Sequence, residues 1–389
     1  MSRTRFEKIR SALHFCDNTK ILPMTDPAYD RAHKIRPVFD HFNKHFQDAR
    51  EPSQYQSIDE HMIKFKGHSA MKQYIKNKPI KWGFKLWCLC DSETGYLYQF
   101  DLYVGKKTNS EKGLGEGVVL QLCEPIFDIG VRVFFYNFFN SPTLQVDLLE
   151  RNVLACGTVR ATRKGMPKSF PEDKKMKRGD IDYFSADGNS CVKWMDNRSV
   201  LLLTNYISPT EKVEVERRKS GAAEKMKINC PLIIQHYNRY MGGVDLMDQL
   251  KSTYEVDRRS KIKYYLRIFF DLLDIAVNNA YIVFKQLQTE NGHKTIKLIE
   301  YRQMIARGLI GTYGSRKRAL SQTAITHKKT CHSAPQPEHV MEKTTARKRC
   351  VHCARQKTEN RTNNLCSSCN VHLCFTKDRN CFMKFHSST

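Results

Sequence analysis

The chain has 389 residues with 65 Lys and Arg against 40 Asp and Glu, a formal net charge of +25, and 40% hydrophobic residues. That length can bury two or three folded units, and the charge asks for a polyanionic partner, nucleic acid first, because each phosphate neutralised by Lys or Arg releases a condensed counterion. A membrane surface would need a basic amphipathic helix or a lipidation signal, and a secreted chain a leader with an apolar core; "MSRTRFEKIR" and the short apolar runs supply none of these, so a soluble intracellular protein is expected.

Residues 1–50 read as helical, with Phe6, Ile9 and Leu13 on one face and Phe39, Phe42 and Phe46 repeating at helical spacing. "SIDEHMIKFKG" suggests a strand entering a turn, and "GFKLWCLCDSETGYLYQFDLYVG" a hairpin closed by "DSETG". "VRVFFYNFF" predicts a short buried strand, followed by a helix with Ser141 as cap and Pro142 at its first position. "NVLACGTVR" is a further buried strand. Residues 161–190 are basic and turn-rich, as an insertion would be, and "WMDNRSVLLLTNYI" returns to strand. Helix is expected at 231–256 and, amphipathic, at about 261–290. Residues 313–349 lack hydrophobic periodicity and read as a linker. The order fits an α/β core interrupted by an insertion.

In so basic a chain a few acids stand out. Asp59 sits among apolar residues in "SIDEHM", and Gly242 and Gly243, which allow close backbone approach, precede Asp245 and Asp248 in "YMGGVDLMDQL". Two-metal phosphodiester chemistry needs carboxylates from distant parts of the chain to hold Mg²⁺ ions about 3.5–4 Å apart. Asp59 and Asp245 suit that role, with Asp248 one turn along as a supporting acid; a solvated surface charge or a helix cap is the alternative for each.

Six cysteines crowd the end: Cys350-x2-Cys353, Cys366-x2-Cys369, Cys374 and Cys381, followed by His386. Two C-x-x-C pairs with later ligands point to zinc, against disulfides or chance clustering. Seven ligands are evident and two closed sites need eight, with His352, His372 and Asp378 as candidates for the last. Ten Lys and Arg against three acids over 341–389 suit phosphate contact. Elsewhere, Lys72, Lys76, Lys78 and Lys81 around Tyr74 and Trp82 form either a DNA-facing stripe or a solvated strand edge over a core tryptophan. Trp194 reads as core, with a base-stacking residue as the alternative. Arg163 and Lys164 read as loop charges with a DNA contact as the alternative, and "SRKR" (315–318) and "ARKR" (346–349) as short import-like clusters that suggest a nuclear protein.

Taken together, "SIDEHMIKFKG", "YIKNKPIKWGFK", "FFYNFFNSPTL", "GTVRATRKGMP", "WMDNRSV", "YNRYMGGVDLMDQ" and "YLRIFFDLLDIAVNNAY" resemble the piggyBac transposase family, in order and across almost the whole chain. The resemblance implies an RNase H-like core (54–160, with its last helix at 231–256) split by an insertion (161–230). It further implies a helical dimerisation and DNA-binding region formed from 1–53 and 257–312, a basic linker (313–348) and a cross-brace zinc finger (349–389). It implies cut-and-paste transposition of double-stranded DNA at TTAA targets through hairpin ends, a homodimer and three catalytic aspartates, of which Asp59 matches the first and Asp245 the third. Asp248 matches an acid close to the third. Where the family pattern has the second aspartate this chain has Tyr136, a phenol with an ordinary pKa of about 10 whose ionisation near pH 7 would cost roughly 4 kcal/mol. "MSRTRF" matches an internal stretch of the family, which implies that an acidic leader and the first part of the DNA-binding region are missing. Where some members have a histidine three after the fifth cysteine of the tail, this chain has Lys377. The expectation is a transposase-derived DNA-binding protein impaired in strand cleavage. A working Mg²⁺-dependent transposase and a zinc-based protein-interaction module on an inert body are the competing readings, and Asp128 in "IFDIG", on the wrong side of the strand's end, is a weak candidate to replace the missing acid.

Overall fold

The computed structural model describes residues 1–389 except 77, 106–112, 219–223, 257–262, 312–338 and 388–389. The chain divides into two compact units, Met1–Gly314 and Ser315–Thr389. "SRKR", Cys331 and most of the expected linker lie outside the described residues.

The first unit begins with α1 (Arg3–Ala12) and α2 (Arg36–Ala49). Strands β1 (Tyr55–Lys64), β2 (Gln73–Tyr74), β3 (Trp82–Asp91) and β4 (Leu97–Leu102) follow, then α3 (Leu114–Cys123), β5 (Arg132–Phe135), α4 (Pro142–Leu149) and β6 (Leu154–Thr158). Next come β7 (Ile181–Ala186), β8 (Asn189–Met195), β9 (Ser199–Thr204), β10 (Lys212–Arg218) and β11 (Lys225–Pro231). Four helices close the unit: α5 (Leu232–Tyr240), α6 (Gly243–Thr253), α7 (Tyr264–Glu290) and α8 (Leu298–Ile310).

One sheet organises these elements. Its order is β2-β3-β1-β5-β6-β9-β8-β7, with β4 also pairing β3. β4, β3 and β1 run antiparallel to one another, while β5 and β6 continue from β1 in parallel. β1 is buried at most positions rather than alternating, as expected of a strand covered on both faces. The segment expected as an insertion is not a body apart: β9, β8 and β7 extend the sheet antiparallel beyond β6, and β10–β11 form a separate hairpin. Trp194 is buried as expected and donates from its indole to the Asn229 carbonyl at 2.8 Å.

The helical edges depart from expectation in three places. α1 buries no residue and leaves Ile9 exposed, whereas α2 buries Val38, Phe39 and Phe46. α3 was hidden by its two glycines; Gly115 is needed because a Cβ there would lie 2.7 Å from the Phe138 carbonyl oxygen. The single late helix expected at 231–256 is two, broken at Met241–Gly242. Ser141 caps α4 as expected, accepting from the Leu144 amide at 3.2 Å.

In the second unit β12 (Met341–Arg349), β13 (Arg361–Cys366) and β14 (Val371–His372) make a three-stranded sheet. α9 (Val351–Arg355), the β15 (Phe375–Thr376) and β16 (Arg379–Asn380) pair, and α10 (Cys381–His386) complete it. The expected boundary at 349 is therefore late: "ARKR" is strand, not linker, and the folded module already includes β12.

Candidate acidic site and metal-ligating clusters

The acids gather where β1 and β5 end their pairing. Ile58 pairs with Phe135, so Asp59 and Tyr136 follow side by side on neighbouring strands. Asp245 stands in the first turn of α6, which packs against β1 and β3. Gly243 makes that approach possible: a Cβ there would lie 2.4 Å from Ser57 Oγ and 2.7 Å from the Asp91 carbonyl oxygen. Alanine normally gains about 1 kcal/mol over glycine in a helix, but overpacking costs about 1–3 kcal/mol. With a backbone oxygen in the way the clash wins. Gly243→Ala is expected to lower stability by about 1–2 kcal/mol in urea unfolding followed by tryptophan emission.

Asp59 is not a free carboxylate. Lys78 reaches it from the β2–β3 loop, its ammonium 3.4 Å from Asp59 Oδ2 and donating to the Glu60 carbonyl at 3.2 Å. Burial, with Glu60 and Asp245 nearby, outweighs Lys78 and raises the Asp59 pKa to about 6. Tyr136 is engaged elsewhere: its hydroxyl donates to Glu60 Oε2, on the residue that leaves β1 on the face opposite Asp59. Burial first, and Glu60 second, push the phenol far above its ordinary pKa, so its oxygen is neutral. Lys85 completes this side, 3.7 Å from Glu60 Oε2.

A pair of divalent ions about 3.5–4 Å apart needs anionic oxygen ligands that converge on one point. One acid is tied to an ammonium, the second place holds a protonated phenol, and no cluster of three ligand-type side chains forms around Asp59 among the described residues. Asp128 cannot substitute. It lies in the turn before β5, at the strand end opposite Tyr136, with a left-handed backbone (φ 63°) and its carbonyl accepting from Asn152. Arg163 donates to the carbonyls of Asn137 and Phe138 and so holds the loop that follows Tyr136.

Asp248 faces His61 rather than the Asp59 carboxylate. His61 Nδ1 lies 2.5 Å from Asp248 Oδ1, and its Nε2 lies 2.7 Å from Asp271 Oδ2 on α7. Lys251 in turn stands 2.7 Å from Asp271 Oδ1. Burial alone would neutralise the imidazole, but the two carboxylates outweigh it and raise its pKa to about 9. Burial likewise opposes the Asp271 charge, yet His61 and Lys251 bring that pKa to about 2. The imidazolium's contribution to stability is complete below its ordinary pKa of about 6.5 and is lost as pH rises through about 9. That of Asp271 is complete above about 4 and is lost as pH falls through about 2. Removing one partner of a buried ion pair typically costs about 3–5 kcal/mol. His61→Leu is expected near the lower end, because Lys251 still serves Asp271, and its stability should no longer decline on the alkaline side.

The second unit gathers ligands twice. Cys350, Cys353, Cys374 and Cys381 form one group and His339, Cys366, Cys369 and His386 the other, with ligand atoms within 4.8 Å of one another in each. A tetrahedral ion with Zn–S near 2.3 Å puts its ligand atoms about 3.7 Å apart. Here Cys353 and Cys381 sulfurs are 3.6 Å apart, and Cys369 Sγ is 3.4 Å from His339 Nδ1 and 3.5 Å from His386 Nε2. Both groups could hold a metal ion. His386 Nδ1 donates to the Phe382 carbonyl at 2.7 Å, which fixes the tautomer whose Nε2 carries the lone pair on the side of Cys369. His339 completes the second group of four, and none of His352, His372 and Asp378 joins either group.

The first 281 residues match the family described as Transposase IS4, which makes the α/β unit one of transposase descent. Within that class the chain belongs to the piggyBac transposase-derived family. It is 30% identical over 383 residues to human piggyBac transposable element-derived protein 3, covering 96% of this chain and 62% of the relative. To human piggyBac transposable element-derived protein 2 it is 33% identical over 290 residues, covering 72% and 48% respectively. The chain thus spans less than two thirds of the length of either relative. The same fold occurs in a piggyBac transposase solved as a synaptic complex with hairpin DNA, at a TM-score of 0.71 and 22% identity over 96% of this chain and 78% of that one. No helix among the described residues is long and apolar enough to cross a membrane.

Proposed function

We propose that the chain is a transposase-derived, double-stranded-DNA-binding protein of the nucleus whose RNase H-like core is impaired in strand cleavage. The strand order β4-β3-β1-β5-β6, three antiparallel and then two parallel, with Asp59 on β1 and Asp245 opening a late helix, supports the RNase H-like reading. The observation that carries the impairment is the Tyr136–Glu60 hydrogen bond where the family has its second aspartate. Asp59, Asp245 and Asp248 are the remains of the catalytic set on this reading. A Mg²⁺ ion at Asp59 and Asp245 would be held weakly.

The two ligand groups of the tail are read as a cross-brace for two structural zinc ions, since their members interleave along the chain: His339, then Cys350 and Cys353, then Cys366 and Cys369, then Cys374 and Cys381, then His386. The exposed basic strand β12 supplies phosphate contacts. The helical segments 1–53 and 257–312, where α2 packs on α7, are the proposed dimerisation and DNA-binding region. The test is duplex binding across a salt series. Affinity should fall steeply as salt rises, in proportion to the phosphates neutralised. Zinc-loaded protein with no duplex affinity, or with affinity indifferent to salt, would overturn the reading and favour a protein-interaction module.

A further inference from the structure

Trp82 does not sit in the core. It opens β3, paired with Tyr74 of the edge strand β2, and 53% of its surface is exposed; Tyr74 is 51% exposed, and the two ring centroids are 4.7 Å apart. The other two tryptophans, Trp87 and Trp194, are each 2% exposed. Exposing two large aromatics together forfeits burial that a strand edge could have obtained by turning them inward.

The surroundings of the pair are cationic. Between residues 72 and 82 the chain carries Lys72, Lys76, Lys78 and Lys81 and no acid. Lys72 Nζ stands 5.2 Å from the Trp82 ring centroid. Lys76 and Lys81 are exposed and make no ion pair among the described residues. Lys78, on the same loop, points the other way to Asp59. Along β1 and β3, Gly83 pairs with Lys64 and Cys88 with Asp59, so the aromatic pair lies about six residues, or about 20 Å, from the acidic site. That is the span of a few nucleotides. A positively charged track with open aromatic faces, leading to a carboxylate site, is the chemistry that holds an unpaired nucleic-acid strand.

We infer that Tyr74 and Trp82 form a stacking platform for unpaired bases of a single-stranded DNA segment lying between this edge and Asp59, with Lys76 and Lys81 on its phosphates. The inference rests on the DNA-binding reading and adds to it a second, single-strand site apart from the basic tail. Stacking recognises any base through its π-face, so a homopolymer suffices as probe.

The experiment titrates the zinc-loaded full chain with oligo(dT), which has no intrinsic structure, and follows both tryptophan emission and the anisotropy of a labelled strand. Because Trp82 is the exposed tryptophan, stacking is expected to quench it. Tyr74→Ala combined with Trp82→Ala should weaken oligo(dT) binding about ten-fold or more, while Tyr74→Phe with Trp82→Phe restores most of it. Affinity for a blunt duplex should change little in either variant. Oligo(dT) that binds without quenching Trp82, or equally well to the alanine variant, would overturn the inference and leave duplex binding standing. Emission that responds to protein concentration but not to oligo(dT) would assign the pair to a contact between copies and overturn it as well. Loss of both oligo(dT) and duplex binding in the unmodified chain would overturn the DNA-binding reading itself.

Discussion

Tyr136→Asp is expected to strengthen Mn²⁺ binding by the zinc-loaded chain about ten- to a hundred-fold and to raise plasmid excision from background. Tyr136 occupies the strand end beside Asp59, and its oxygen is committed as a donor to Glu60. A neutral phenol held there gives a metal no anionic ligand, and burial beside Glu60 drives its ionisation further out of reach. Loss of groups that merely orient a metal's ligands already costs about 10–100-fold, so restoring a ligand should gain at least as much. Tyr136→Phe separates the two parts of the argument. It frees Glu60 without adding a carboxylate, and no gain in Mn²⁺ affinity is expected. Equal gains in the two variants would mean that Glu60, not the missing aspartate, limits the site. Excision by the unmodified chain at the level of its aspartate variant would show that the impairment does not exist. Mn²⁺ titration answers the question independently of excision.

The acids were legible in the sequence one by one, because Asp59, Asp245 and Asp248 fall in short stretches with distinctive neighbours. Their partners were not. His61 is two residues from Asp59, yet what it does depends on Asp271, 210 residues away on a helix whose aromatic residues mark it only as packing. Lys78 read as one of four like charges on a strand edge, and only the loop's path brings it to Asp59. Periodicity finds elements and faces; it does not say which side chains of distant elements meet. The same limit explains the broken helix. Two adjacent glycines lower helix propensity, but it is the close contact of Gly243 with Ser57 and Asp91 that shows why the second begins there. Strands β7–β9 were legible as strands or loop, and their continuation of the central sheet was not, since pairing partners leave no local mark. Trp82 went the opposite way: a tryptophan between lysines suits core and surface equally until its exposure is known.

Chelation is expected to unfold the second unit and leave the first intact, and His339→Ala to lower the zinc content from two ions per chain to one. Of the seven buried apolar residues in the centre of that unit, five are cysteines, and Leu373 and Phe382 are the others. So few buried side chains cannot offset the conformational entropy of its backbone, which costs on the order of 1–2 kcal/mol per residue. Structural zinc contributes about 10–16 kcal/mol in comparable small modules, so the metal decides whether these strands form. His339 was missed in the sequence because the ligand pattern was counted from the first cysteine, and a single histidine eleven positions earlier carries no spacing signal. Its removal opens the group with Cys366, Cys369 and His386 and leaves the four-cysteine group complete. His352→Ala and His372→Ala, in contrast, should each retain two ions. Zinc counted by a colorimetric chelator after denaturation, with amide dispersion of the tail before and after chelation, reads both effects. Full zinc content in His339→Ala with loss in His372→Ala would move the eighth ligand. A tail that keeps its dispersion when stripped of metal would mean that side-chain packing, not zinc, holds it.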